Sequence, residues 1–108
     1  MMVYPRMTET EVDAMMKMWK WEWIPAHMHS GVKNWVKYGV PGGGFLTKML
    51  EHDIYNAAGK ADLDNQAALM GWIRFMYNEL PGACHGSRQA CDEWYAGGGL
   101  CGPERNVA

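Results

Sequence analysis

The chain has 108 residues, 48% of them hydrophobic and 20% charged, the balance of one globular domain and not of a disordered or fibrous chain. Ten basic against twelve acidic residues leave a net charge of −2, which supplies no global field to gather nucleic acid or an anionic membrane, so an anion site has to be local. No apolar run approaches the ~18 residues of a membrane span, and Met1-Met2-Val3-Tyr4-Pro5-Arg6 lacks the apolar stretch of a signal peptide. Cys84, Cys91 and Cys101 make an odd count, so the expectation is a cytoplasmic protein with reduced thiols and no disulfide framework.

Thr8-Glu9-Thr10-Glu11 has the form of a capping box, and Val12, Met15, Met16, Trp19 and Trp23 follow at the three- and four-residue steps of one helical face; this predicts a first helix from Thr8 that Pro25 ends. Met28, Val32, Trp35 and Val36 form the stripe of a second helix running to Tyr38 and stopping at Gly39. After the breaker Val40-Pro41-Gly42-Gly43-Gly44, the residues Leu46, Met49, Leu50, Asp53 and Ala57 mark a third helix closing at Gly59, with Asp53 predicted to bond across to Tyr77 or Asn78. Asp62 caps a fourth helix whose apolar positions are Leu69, Trp72, Ile73, Met76, Tyr77 and Leu80, ended by Pro81-Gly82. Ser87 caps a short fifth helix through Cys91, Trp94 and Tyr95. The expected architecture is an all-α bundle of about five short helices without a sheet: one domain over residues 1–96 and an irregular glycine-rich tail over 97–108.

The series Ile24-Pro25, His27-Met28, Gly31, Tyr38-Gly39, Pro41, Gly43, Phe45-Leu46, Leu50, Asp53, Ala61-Asp62, Asn65, Tyr77-Asn78, Pro81, Cys84, Gly86-Ser87 and Trp94 resembles a family of small helical proteins encoded by tailed bacteriophages and prophages, with His85 where that pattern usually has Trp. The resemblance implies an accessory protein acting in the host cytoplasm, against a host protein or a nucleotide defence signal, and it implies no established activity.

Among the candidate sites, Gly42, Gly43, Gly44, Thr47 and Lys48 lie at the predicted start of the third helix, where free N–H groups and the helix dipole favour an anion and glycines permit close approach. Lys37 and Lys33 are four apart on the preceding helix, and Trp35 or Tyr38 offers a ring for stacking on a base. The stretch is not a P-loop, since it lacks Gly-Lys followed directly by Ser or Thr and no strand precedes it, and a plain helix–helix connection uses the same glycines. Trp19 and Trp23 read as core, whereas Trp21 points away and becomes the candidate partner-binding residue. His27 and His29 diverge by roughly 200° on a helix and cannot share a metal. Cys84, His85, Cys91 and Cys101 have ligand chemistry suited to zinc but not the spacing of a paired zinc motif.

The sequence-based expectation is therefore a non-enzymatic, homo-oligomeric accessory protein without a cofactor. Its partner is a small anionic, nucleotide-like ligand, and neither nucleic acid nor a membrane. Two alternatives remain, a protein–protein inhibitor of a host protein using an aromatic and Met-rich surface, and a zinc-stabilised structural module.

Overall fold

The capping box forms at Thr8: its hydroxyl accepts the Glu11 N–H at 3.2 Å and the Glu11 carboxylate accepts the Thr8 N–H at 2.9 Å, in a computed structural model that describes residues 2–4, 6–102 and 105–107. Helix α1 (Glu9–Met16) ends well short of Pro25. The reason is local. The Trp21 indole N–H donates to the Met16 carbonyl at 2.6 Å, taking an acceptor that a longer helix would use for its own ladder. Residues Trp21–Trp23 and Ala26–Met28 are instead two short 3-10 turns on either side of Pro25.

Helix α2 (His29–Tyr38) stops as expected at Gly39, which takes the left-handed conformation with φ 67° and donates its N–H to Trp35. The predicted third helix is two helices, α3 (Gly44–Leu50) and α4 (Ile54–Lys60). Asp53 does not bond across to Tyr77 or Asn78. It caps α4, accepting the Asn56 N–H at 3.3 Å and the Asn56 carboxamide N–H at 2.8 Å, and the chain turns before it through His52 at φ 62°.

The predicted fourth helix is likewise divided at Ala68 into α5 (Leu63–Ala67), capped by Asp62, and α6 (Leu69–Asn78). The break turns α6 so that the Trp72 indole N–H reaches the buried Asn65 side-chain oxygen at 3.0 Å. It also sets a different inner face from the expected one: Trp72, Phe75 and Met76 are buried, while Ile73 and Tyr77 are exposed. A 3-10 turn at Gly82–Cys84 leads to α7 (Arg88–Gly97), capped by Ser87.

The described residues thus form an all-α globule of seven α-helices, more than the expected five because two predicted helices are each split. One antiparallel pairing joins β1 (Met2–Tyr4) to β2 (Arg105–Val107), in register Met2 with Val107. The core is a single cluster to which α1, α2, α3, α4, α6 and α7 contribute, centred on Val36, Met49, Trp72, Phe75 and Trp94. No helix among the described residues is long and apolar enough to cross a membrane.

The segment after α7, expected to be irregular, is docked. Leu100 and Cys101 donate their N–H groups to the carbonyls of Val36 and Lys37 at 2.9 and 2.8 Å, and the Met7 N–H donates to the Leu100 carbonyl at 2.9 Å. Leu100 is buried in the core cluster. Its approach is possible because residue 99 is glycine, where a Cβ would come within 2.6 Å of the Lys37 and Tyr38 backbone.

Candidate binding cleft

Helices α2, α3 and α7 meet around a cleft of about 170 Å³, lined by Trp35, Pro41, Gly42, Thr47, Leu50, Glu51, Cys91, Asp92 and Tyr95. The α2–α3 junction supplies one wall through Gly42 and Thr47, both expected in a site, and Trp35 and Leu50 supply an apolar floor. Helix α7 supplies the opposite wall from one face, since Cys91, Asp92 and Tyr95 fall at adjoining and four-residue positions.

Trp35 is not available for stacking. The residue is 4% exposed and its indole N–H donates to the Cys84 carbonyl at 2.8 Å, so it lines the cleft without offering an open face. Tyr95 is the exposed ring, at 61%.

The cations expected beside the glycines are held elsewhere. Lys48 pairs with Glu51 at 3.2 Å along α3. Lys37 reaches back to α1, donating to Asp13 at 2.9 Å with Glu9 at 3.5 Å, and the Tyr38 hydroxyl donates to the same Glu9 carboxylate. Hydrogen bonding to Asp13 raises the Lys37 ammonium pKa, and hydrogen bonding from Tyr38 holds the Glu9 carboxyl below its ordinary value. Lys37 and Tyr38 thus form a clamp between α1 and α2, away from the cleft. Gly43 is the cap residue of α3 and Gly44 its first residue; an added Cβ on Gly44 would meet the Lys60 side chain of α4 at 3.2 Å.

What remains at the cleft rim is acidic. Glu51 is matched by Lys48, while Asp92 is exposed and has no ion-pair partner among the described residues. The two carboxylates act on Cys91, whose thiol is pushed up to about 11 by burial first and by Glu51 and Asp92 after it. That thiol is protonated near neutral pH and is a poor nucleophile.

Trp21, expected to project as a partner anchor, is half-buried. It packs on Phe75 and Trp19 with ring centres 5.1 and 5.7 Å away, Lys33 lies 5.2 Å over its ring, and His29 lies against it at 5.0 Å. The angular argument that turned it outward assumed a helix through residue 23, and the chain there is a 3-10 turn. His29 donates through Nε2 towards the carbonyls of Trp21 and Ile24 at 3.0 and 3.1 Å, since two carbonyls require a donor between them. His27 pairs with Asp62 at 3.0 Å.

The four zinc candidates are not assembled. Cys84 is buried beneath Trp35, Cys91 lines the cleft, His85 faces His52, and Cys101 lies by Arg6, which donates to its carbonyl at 3.2 Å. Among the described residues no group of three or more His, Cys, Asp or Glu side chains is placed to hold a metal ion.

The sequence signal missed the α7 wall, because Cys91, Asp92 and Tyr95 are separated from Gly42 by about half the chain and only the fold joins them. No family model, curated protein or solved structure matches the chain.

Proposed function

We propose that this protein is a non-enzymatic binding module whose α2–α3–α7 cleft receives a single basic side chain, Arg or Lys, from a partner protein. The observation that carries the reading is the size and sign of the cleft. Small-molecule sites occupy about 300–1,000 Å³, whereas this open cleft measures about 170 Å³, a size that matches one amino-acid side chain. Its floor suits an aliphatic stem. Its rim offers the unpaired Asp92 carboxylate, and Tyr95 presents a face on which a guanidinium stacks.

This reading takes the protein-docking alternative over the small anionic ligand, with the proposed contact at the cleft instead of at Trp21. The protonated Cys91 thiol fits a wall that binds without reacting. In the setting that the phage resemblance implies, the partner is a host protein that presents a basic residue.

Amide chemical-shift titration separates the two ligands. N-acetyl-arginine amide is expected to shift Thr47, Cys91 and Asp92 together with the Trp35 indole, and Asp92→Lys is expected to weaken its binding roughly fivefold, the scale of about 1 kcal/mol for an exposed charge pair. Inorganic phosphate is expected to leave these signals in place. Saturable phosphate shifts at Gly43, Gly44 and Phe45, with none from the arginine derivative, would return the site to the anion-binding alternative.

A further inference from the structure

On another side of the molecule the corner between α3 and α4 meets the loop before α7 through two imidazoles. His52 Nε2 and His85 Nδ1 are 2.8 Å apart, with ring centres separated by 5.0 Å. Those two distances together mean that the facing nitrogens lie nearly on the line between the ring centres, so the rings meet head-on. Head-on geometry suits a proton between two lone pairs. It does not suit a metal, because two metal–nitrogen bonds of about 2.0–2.1 Å in line would need roughly 4 Å.

The pair ties together two strained or tight segments. His52 holds a left-handed backbone at φ 62°, a conformation strained for a residue bearing a Cβ. One residue past His85, the Gly86 N–H donates to the Leu50 carbonyl at 2.8 Å. Beneath the rings lies a hollow of about 340 Å³ lined by Ile54, Ile73, Met76 and Tyr77.

We infer that the His52–His85 pair is an acid-sensitive latch that holds the 84–87 loop against the α3–α4 corner when at least one ring is neutral and releases it when both are protonated. A hydrogen bond between imidazoles needs one N–H and one lone pair; the imidazolium offers donors at both nitrogens, so two charged rings set N–H against N–H at 2.8 Å. Among the described residues no carboxylate is hydrogen-bonded or ion-paired to either imidazole. Glu51 is engaged by Lys48, Asp53 is bound by Asn56, and α6 contributes the Tyr77 phenol among apolar side chains. The influences on His85 itself are its burial and the charge of His52, both of which favour the neutral ring. Release frees the Gly86–Leu50 bond and removes the His85 wall from the apolar hollow.

Amide hydrogen exchange on the intact chain tests this, with rates corrected for the intrinsic pH dependence of exchange. Protection at Gly86 is expected to fall roughly tenfold, the equivalent of one pKa unit, between about pH 7.5 and about pH 5, while protection at Trp72, whose N–H donates to Ala68 in the core, stays constant. His52→Asn keeps a residue tolerant of the left-handed backbone and removes one imidazole of the pair, and it is expected to make Gly86 protection independent of pH. His85→Gln, which leaves position 52 untouched, is expected to do the same. The latch is overturned if Gly86 protection does not change in the wild type, if it falls equally in either variant, or if Trp72 falls in parallel and shows that the whole domain is opening.

Discussion

At the residue scale, the indole N–H groups show how an aromatic-rich chain avoids buried polar cost. Trp35 donates to the Cys84 carbonyl, Trp94 to the Trp35 carbonyl and Trp72 to Asn65, so α2 is joined to α7 and to the Gly82–Cys84 turn, and α6 to α5, by bonds made inside the core. Asn65 is a polar side chain only 2% exposed, and its role is to accept from Trp72. Asn65→Leu removes the acceptor and leaves a fully buried N–H unmatched; a loss of about 1–3 kcal/mol in urea unfolding is expected. The thiols make a second prediction. Burial raises the pKa of all three thiols, but Cys101 is the least buried, so iodoacetamide near neutral pH is expected to label Cys101 first, with Cys84 and Cys91 reacting on unfolding; peptide mass mapping reads the order. His85 gives a pH dependence of fixed sign. Its folded-state pKa lies below the ordinary 6.5, so the unfolded chain binds the extra proton more readily, and the stability that the neutral ring contributes is present above about pH 6.5 and lost as the pH falls through the lower folded value. Urea midpoints measured through that interval are expected to fall in the wild type and to vary less in His85→Gln.

At the element scale, what was legible in the sequence was local chemistry. Thr8, Asp62 and Ser87 cap the helices that follow them, and Gly39 closes α2, because a cap is decided by a side chain and the backbone within three or four residues of it. Periodicity read the breaks poorly. The spacing from Leu46 to Ala57 stays helical through His52, yet Asp53 captures the Asn56 N–H and starts a new helix; an aspartate mid-face and an N-cap aspartate look the same in a pattern of apolar residues. Three of the expected site positions, Trp35, Gly42 and Thr47, do meet in the cleft because they lie within one helix–loop–helix unit, whereas Lys37 and Tyr38 are drawn to α1 by carboxylates that the pattern could not pair with them. Gly71 carries a further requirement of the packing. It sits inside α6 where the Trp23 carbonyl oxygen occupies the place a Cβ would need, so the α6 backbone rests directly on the 3-10 turn. Gly71→Ala, favourable in an isolated helix, is expected to destabilise the protein by about 1–3 kcal/mol, the range for overpacking, with a lowered urea midpoint.

At the scale of the whole molecule, the docked segment after α7 couples the ends of the chain to its centre. Removing residues 99–108 takes away the burial of Leu100 and the two bonds it and Cys101 make to α2, and uncovers the carbonyls of Val36 and Lys37. A loss of about 2–4 kcal/mol is expected from the buried side chain and hydrogen bonds together, measured by thermal or urea unfolding; a truncated chain as stable as the intact one would show that the segment merely rests on the surface. The Met7–Leu100 bond has a consequence in time as well as in energy. It closes a loop over nearly the full length of the chain, and such closure is slow because its entropy is lost before the contact rewards it. During synthesis the α1–α2 clamp can form early, but the carbonyls at the end of α2 have to wait for residues 100 and 101 to leave the ribosome, so a nascent chain stalled short of them carries an open helix end that the finished protein never shows.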